Sequence, residues 1–177
     1  MFVNQFNIID GKVEILGERY VMLDSSSLLS LQEIDKSKMY AIAKDISKNS
    51  IKNLVDHAQV YKNIKDLALK EIVELSKKIG KTDEGVIQTL QTMFELYGLG
   101  KLKIYDLNNE KKSAVLMIDN STMALAQLKE GKTKKTSCTL TAGILAGMFT
   151  YVFGREVDCV EKKCKGKGDD FCEFEVS

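Results

Sequence analysis

The sequence has no proline, no tryptophan and a single histidine, His57, among its 177 residues. One isolated histidine cannot complete a Ser-His-Asp or Cys-His arrangement for nucleophilic catalysis. No glycine-rich dinucleotide fingerprint follows a predicted strand, and no paired carboxylates stand out. The sequence therefore predicts a protein without catalysis of its own.

Charge of one sign is also lacking, since 26 Lys and Arg oppose 25 Asp and Glu, which leaves a net charge of +1. Such a balance gives no overall attraction for nucleic acid or an anionic membrane. The N-terminal residues Met1-Phe2-Val3-Asn4-Gln5 lack the basic flank and apolar run of a secretory signal, and no stretch has the roughly 18 apolar residues of a membrane span. We expect a cytoplasmic protein with no nucleic-acid or membrane partner.

Arginine is scarce, with only Arg19 and Arg155 beside many lysines. Enrichment in Lys and Glu is typical of proteins from thermophiles. A genome of biased base composition produces much the same pattern, so the composition leaves both origins open.

The N-terminal part, residues 1–84, combines short strands with long helical stretches. A hairpin is predicted from Phe2–Ile9 and Lys12–Leu16, followed by a short strand at Tyr20–Leu23. Asp24 stands where it can cap a helix. From Ser37 to Ile79 apolar residues recur every three to four positions, which predicts one helix or two with a break at Asn49-Ser50. So long an apolar stripe predicts a homodimer interface.

The C-terminal part, residues 85–177, adds further strands to complete an α+β fold, in which helices cover an antiparallel sheet within a single domain. Gly143 and Gly147, four positions apart, predict close approach of another backbone. The predicted elements are a helix capped by Thr82-Asp83-Glu84 and ending at Gly98, strands Lys101–Leu107 and Ser113–Ile118, the apolar helix Thr139–Phe153, and strands Glu156–Val160 and Cys172–Val176.

Three of the four cysteines, Cys159, Cys164 and Cys172, fall close together. In a cytoplasmic protein, cysteines are better explained as metal ligands or free thiols than as disulfides. The glycine-containing loop 165–170 allows the chain to return two thiolates to one point, as a tetrahedral zinc site requires. Buried free cysteines are the alternative, and the spacing differs from the C-x2-C knuckle of zinc fingers.

The same region carries the pattern Glu161-x2-Cys164-x3-Gly168-x3-Cys172-Glu173-Phe174, preceded by Gly143, Gly147 and a strand that enters at Val157. This pattern resembles the C-terminal signature of the 4-vinyl-reductase domain family of predicted hydrocarbon-binding proteins. The resemblance covers about residues 85–177, and the N-terminal third in outline. It implies the fold shared by TRAPP vesicle-tethering subunits and nitric-oxide-signalling-like ligand-binding domains.

Sensory domains of phenol-responsive activators carry this signature with an upstream cysteine. In them zinc is held by that Cys followed by Glu-x2-Cys-x7-Cys, and Cys138, Glu161, Cys164 and Cys172 match this order. The resemblance implies that these four residues hold a structural zinc ion and that Cys159 is not a ligand. Four protein ligands leave no open position for an activated water. The nearby lysines of 162–167 are expected to balance the negative charge of the ligands, unless they only form a solvated basic loop.

The resemblance also implies an apolar cavity near the zinc that binds small hydrophobic or aromatic molecules. Val115 and Met117 share one face of their predicted strand, and Cys159 shares a face with Glu161. Methionine and aromatic residues at helical spacing also form ordinary cores. The alternatives to ligand sensing are a scaffolding dimer of the TRAPP-subunit type and, less favoured, a reductase acting on a vinyl-tetrapyrrole. The predicted ligand-binding residues are Phe94, Tyr97, Val115, Met117, Phe149 and Cys159.

Overall fold

The computed structural model describes residues 7–9, 12–15, 18–57, 88, 90–92, 94, 95 and 97–177. The predicted helix cap at Thr82-Asp83-Glu84 and the second half of the 37–79 stripe lie outside these residues. The elements, in chain order, are β1 Asn7–Ile9, β2 Lys12–Ile15, β3 Glu18–Tyr20, α1 Ser25–Ile34, α2 Lys36–His57, β4 Lys101–Asn108, β5 Ser113–Asp119, α3 Thr122–Glu130, α4 Thr139–Phe153, β6 Cys159–Lys163 and β7 Cys172–Val176.

The first three strands form an antiparallel sheet in the order β1-β2-β3. The predicted N-terminal hairpin is confirmed for the described residues, with Ile8 opposite Val13. The third strand is Glu18–Tyr20 and not Tyr20–Leu23, because Glu18 to Tyr20 pair with β2 whereas residues 21–23 are exposed and irregular.

Two consecutive helices follow this sheet. The Asp24 carboxylate accepts hydrogen bonds from the backbone amides of Ser26 and Ser27 at 3.0 and 3.1 Å, which confirms the predicted cap of α1. The predicted break at Asn49-Ser50 is wrong, because α2 continues through it to residue 57. Fully buried Ile51 anchors the helix just beyond the polar pair, so tertiary packing outweighs local propensity there.

The second sheet has four antiparallel strands in the order β4-β5-β7-β6. Strands β4 and β5 confirm the predicted pair, whereas the predicted strand from Glu156 begins only at Cys159. Leu116 lies opposite Phe174, and both are fully buried. These positions belong to the face of the sheet that forms the core.

Helix α4, predicted correctly at Thr139–Phe153, packs against α2. A Cβ atom at Gly143 would lie 2.5 Å from the Tyr40 carbonyl oxygen, and one at Gly147 would overlap the Lys44 carbonyl. This confirms the predicted close approach of another backbone. Helix α3 was not predicted, because its buried face relies on the small residues Ala124 and Ala126 and its periodic signal is weak. Among the described helices, none is long and apolar enough to cross a membrane.

Candidate metal centre

One atom from each of Cys138, Glu161, Cys164 and Cys172 meets the others within 4.8 Å. Cys138 is the N-cap residue of α4, Glu161 belongs to β6, Cys164 follows that strand, and Cys172 begins β7. The Sγ atom of Cys138 lies 3.9 Å from that of Cys164 and 3.8 Å from that of Cys172. The fold therefore gathers these four predicted residues into one cluster that could hold a metal ion.

The chain between Cys164 and Cys172 returns through a short 3-10 turn. The Cys164 amide donates to Oδ2 of Asp169 at 2.8 Å, and the Asp169 amide donates to the Cys164 carbonyl at 3.2 Å. Gly168 has a φ of +115°, a conformation that favours glycine. The predicted return of two thiols to one point therefore depends on this glycine and on the Asp169 side chain.

The three thiols are fully buried and have polar neighbours. Ser121 Oγ lies 3.5 Å from the Cys138 sulfur, and Ser137 Oγ lies 3.3 Å from the Cys164 sulfur. The Lys165 amide donates to the Cys172 sulfur at 3.4 Å. Hydrogen bonds of this kind orient metal ligands and stabilise thiolates.

Glu161 completes the cluster with one oxygen bonded and one buried alone. Its Oε2 accepts a hydrogen bond from the Cys138 amide at 2.9 Å. Its Oε1 is buried with no hydrogen-bond partner among the described residues. Burial raises the pKa of this carboxyl to about 8, so its charged form is unfavourable without a cation beside it. Both observations fit a bound metal ion.

The donor types agree with this fit. Three sulfur atoms and one carboxylate oxygen form a soft donor set of the kind that binds zinc, and their mutual distances suit a four-coordinate ion. Among the thiols themselves, the hydrogen bond between Cys138 and Cys164 raises the pKa of Cys138 and lowers that of Cys164, so the cluster already favours one thiolate.

Cys159 lies on the same strand face as Glu161 but outside the cluster. It is buried, which raises the pKa of its thiol. Its backbone amide donates to the Tyr40 hydroxyl at 2.9 Å. Its assignment as a non-ligand stays a prediction.

Three lysines beside the cluster pair with carboxylates of their own. Lys162 contacts Glu175 at 2.9 Å and Lys163 contacts Glu173 at 2.8 Å, both across the β6–β7 pair. A longer contact of 3.8 Å joins Lys167 to Asp169. The interpretation that these lysines balance the metal ligands is wrong for these three side chains, because nearer carboxylates hold them.

The six predicted ligand-binding residues do not share one cavity. Val115 and Met117 lie opposite Glu175 and Glu173, on the face of the sheet away from Cys159. Phe94 and Phe149 are fully buried core residues. Of the six, Tyr97 lines an open groove between α2 and α4.

This groove has a volume of about 340 Å³. Ile42 and Ile46 on α2 leave 53% and 59% of their surface exposed along it. Their helical spacing was part of the stripe predicted as a dimer interface, but no sequence signal showed that α4 forms the opposite wall. The apolar lining consists of Met39, Ile42, Ala43, Ile46, Tyr97, Leu99, Leu140, Ile144 and Met148.

The family model of the 4-vinyl-reductase domain matches residues 123–177, a segment that contains all four clustered residues. Residues 123–177 are therefore assigned to the 4-vinyl-reductase domain family. The predicted resemblance is confirmed, over a shorter segment than the 85–177 expected. This 4-vinyl-reductase segment comprises α3, α4, β6 and β7, so it supplies the cluster and one wall of the groove.

Two relatives of this chain come from Methanocaldococcus jannaschii. The uncharacterized protein MJ0150 is 30% identical over 87 residues, which are 49% of each chain. This chain thus spans about half the length of MJ0150. The uncharacterized protein MJ0745 is 25% identical over 167 residues, 89% of this chain and 84% of its own.

Two solved structures are similar over most of the chain. The phenol-responsive sensory domain of the transcription activator PoxR, determined with phenol, matches with a TM-score of 0.63 and 15% identity over 99% of this chain and 85% of that domain. A trafficking protein particle complex subunit 3 from Naegleria fowleri, covalently bound to palmitic acid, matches with a TM-score of 0.47 and 14% identity over 86% of this chain and 89% of its own. The PoxR match confirms the predicted α+β architecture.

Proposed function

We propose that this chain is a zinc-stabilised domain that binds a small, neutral, mainly apolar molecule in the α2–α4 groove and catalyses no reaction itself. The observation that carries the proposal is the open apolar groove beside a closed cluster of four metal donors. The cluster supplies rigidity, and the groove supplies the binding surface.

Zinc would be held by Cys138, Glu161, Cys164 and Cys172. Once bound, it would neutralise the thiolates and cross-link the start of α4 to β6 and β7. Four protein donors complete its tetrahedral shell, so the ion would serve structure. The less favoured alternative, a reductase acting on a vinyl-tetrapyrrole, predicts turnover of a vinyl-porphyrin with a reductant, whereas we expect none.

The lining of the groove decides the class of ligand. Its volume of about 340 Å³ lies at the lower end of the range for small-molecule pockets. No charged residue lines it, and the Ser47 hydroxyl already donates to the Ile144 carbonyl at 2.9 Å. A carboxylate or phosphate would therefore lose its hydration without gaining a partner. The likeness to a phenol-responsive sensory domain supports a role in sensing such neutral molecules.

The binding test uses native mass spectrometry for a co-purifying molecule and titration with the neutral dye Nile red. Ile46→Lys places a charge in the groove and should weaken dye binding at least tenfold, because the ammonium would have to be desolvated. The matched control is Ile34→Lys, at an isoleucine on α1 that is 80% exposed and outside the groove. Equal affinity in both variants would place the binding surface elsewhere.

A scaffolding homodimer is the second candidate, since the exposed side chains of Ile42 and Ile46 could pack against a second copy. Sedimentation equilibrium of the zinc-loaded protein tests it. A stable dimer that binds no dye and dissociates in Ile46→Lys would favour the scaffold. A monomer at high micromolar concentration would remove this candidate and leave ligand binding.

A further inference from the structure

Gln32 on α1 is polar but fully buried, and its side chain spans the start of α4. Its Nε2 donates to the Ser137 carbonyl at 2.7 Å, and its Oε1 accepts from the Leu140 amide at 2.8 Å. The two bonds bracket Cys138, although the partners are more than 100 positions away in sequence. Reversing the amide would set donor against donor and acceptor against acceptor, so this orientation is the one the contacts support.

The start of α4 needs such a partner. Amides in the first turn of a helix have no carbonyl partner within the helix, and the N-cap side chain usually accepts from one of them. Here the N-cap residue is Cys138, which makes no capping bond within the described structure. Its sulfur instead points toward Cys164 and Cys172. Gln32 supplies the missing acceptor from another helix.

Other contacts confine the same backbone. The Cys138 amide is held by Glu161, and the neighbouring Ser137 hydroxyl contacts the Cys164 sulfur. Without Gln32, the Ser137 carbonyl and the Leu140 amide would lose buried partners, and the backbone between them could rotate. A rotation there would move the Cys138 sulfur away from the other donors.

We propose that Gln32 is a positioning residue that caps α4 in trans and holds Cys138 in the geometry for metal binding. The inference rests on the proposed zinc site and adds that α1, outside the 4-vinyl-reductase segment, contributes to it. Because the support is a pair of hydrogen bonds, it should act on zinc affinity as partners of metal ligands do, by about 10-fold to 100-fold.

The test compares Gln32→Met, which keeps the length of the side chain without its hydrogen bonds, with Ser47→Ala. Ser47 also bonds a backbone group of α4, the Ile144 carbonyl, away from the metal donors. The zinc Kd is measured by competition with a chromophoric chelator, and folding is checked by circular dichroism with and without zinc. We expect Gln32→Met to raise the zinc Kd about 10-fold or more and Ser47→Ala to leave it within about twofold.

An unchanged Kd in folded Gln32→Met would overturn the inference and leave the proposed zinc site intact. Wild-type protein that binds no zinc would overturn the proposed site and this inference with it. If Gln32→Met does not fold, Gln32→Glu replaces it, since it keeps an acceptor for the Leu140 amide. Its Kd should then lie above that of Ser47→Ala, and equality of the two would overturn the inference.

Discussion

The backbone amide of Cys138 donates a 2.9 Å hydrogen bond to the Glu161 carboxylate, which lies 23 positions further along the chain. This bond joins the start of α4 to β6 and sets the carboxylate beside three buried thiols. The metal centre is therefore a junction between a helix and a sheet, and loss of any donor should affect the stability of both.

Replacing a single thiol donor should release the metal. Cys138→Ser, Cys164→Ser and Cys172→Ser should each lower the zinc content, measured by elemental analysis, and cost about 3–5 kcal/mol of unfolding free energy, because metal-binding energy is also folding energy. Cys159→Ser should keep one zinc per chain. Equal zinc loss in all four variants would refute the ligand assignment.

Glu161→Gln should be milder than the cysteine variants. An amide oxygen can still approach the ion and accept from the Cys138 amide, although it carries no charge. We expect zinc to remain after purification but to leave faster when a chelator is added. Complete loss on purification, as in Cys138→Ser, would show that the negative charge is indispensable.

The Tyr40 hydroxyl links α2 to the strand that carries Glu161. It accepts from the Cys159 amide at 2.9 Å and donates to Asp158 at 3.1 Å. Tyr40→Phe should cost about 1–2 kcal/mol in urea unfolding, because the amide is left without its partner. Tyr105→Phe, at an exposed tyrosine, is the control and should cost much less.

Asp158 should make stability depend on acid pH. The Lys44 ammonium, 2.8 Å away, holds the pKa of this carboxyl below its usual 3.8. A lowered folded-state pKa stabilises the fold above about pH 4, and this contribution disappears as pH falls through the folded value. Asp158→Asn should cost at most about 1 kcal/mol at pH 7, since the carboxylate is largely exposed.

The measurement for Asp158 is urea unfolding of both proteins from pH 7 to pH 3. The gap between wild type and Asp158→Asn should close below about pH 4. A gap that stays constant with pH would show that the carboxylate charge contributes nothing.

Gly147→Ala tests the contact between α4 and α2. Alanine normally favours a helix over glycine by about 1 kcal/mol. Here the new Cβ would overlap the Lys44 carbonyl, and backbone cannot yield as a side chain can. We expect a net loss of about 1–3 kcal/mol in urea unfolding. A stabilised variant would show that the helices can separate at little cost.

Local signals in the sequence determined several elements of this protein. Asp24 caps α1 as predicted, and Thr139–Phe153 is a helix from its first to its last predicted residue. These features depend on neighbouring residues, whose spacing and side-chain chemistry are visible in the chain. The four metal donors came from a family pattern of fixed order and spacing, and the fold brings them together.

Tertiary structure alone decided what depends on distant partners. Alternation showed that Val115 and Met117 share a strand face, but only the pairing with β7 and β6 showed that this face lies away from Cys159. Gln32 carries no local signal, because both of its backbone partners lie in another helix region. The groove likewise exists only where α2 meets α4. Periodicity records how one segment repeats, whereas contacts between segments depend on how the whole chain packs.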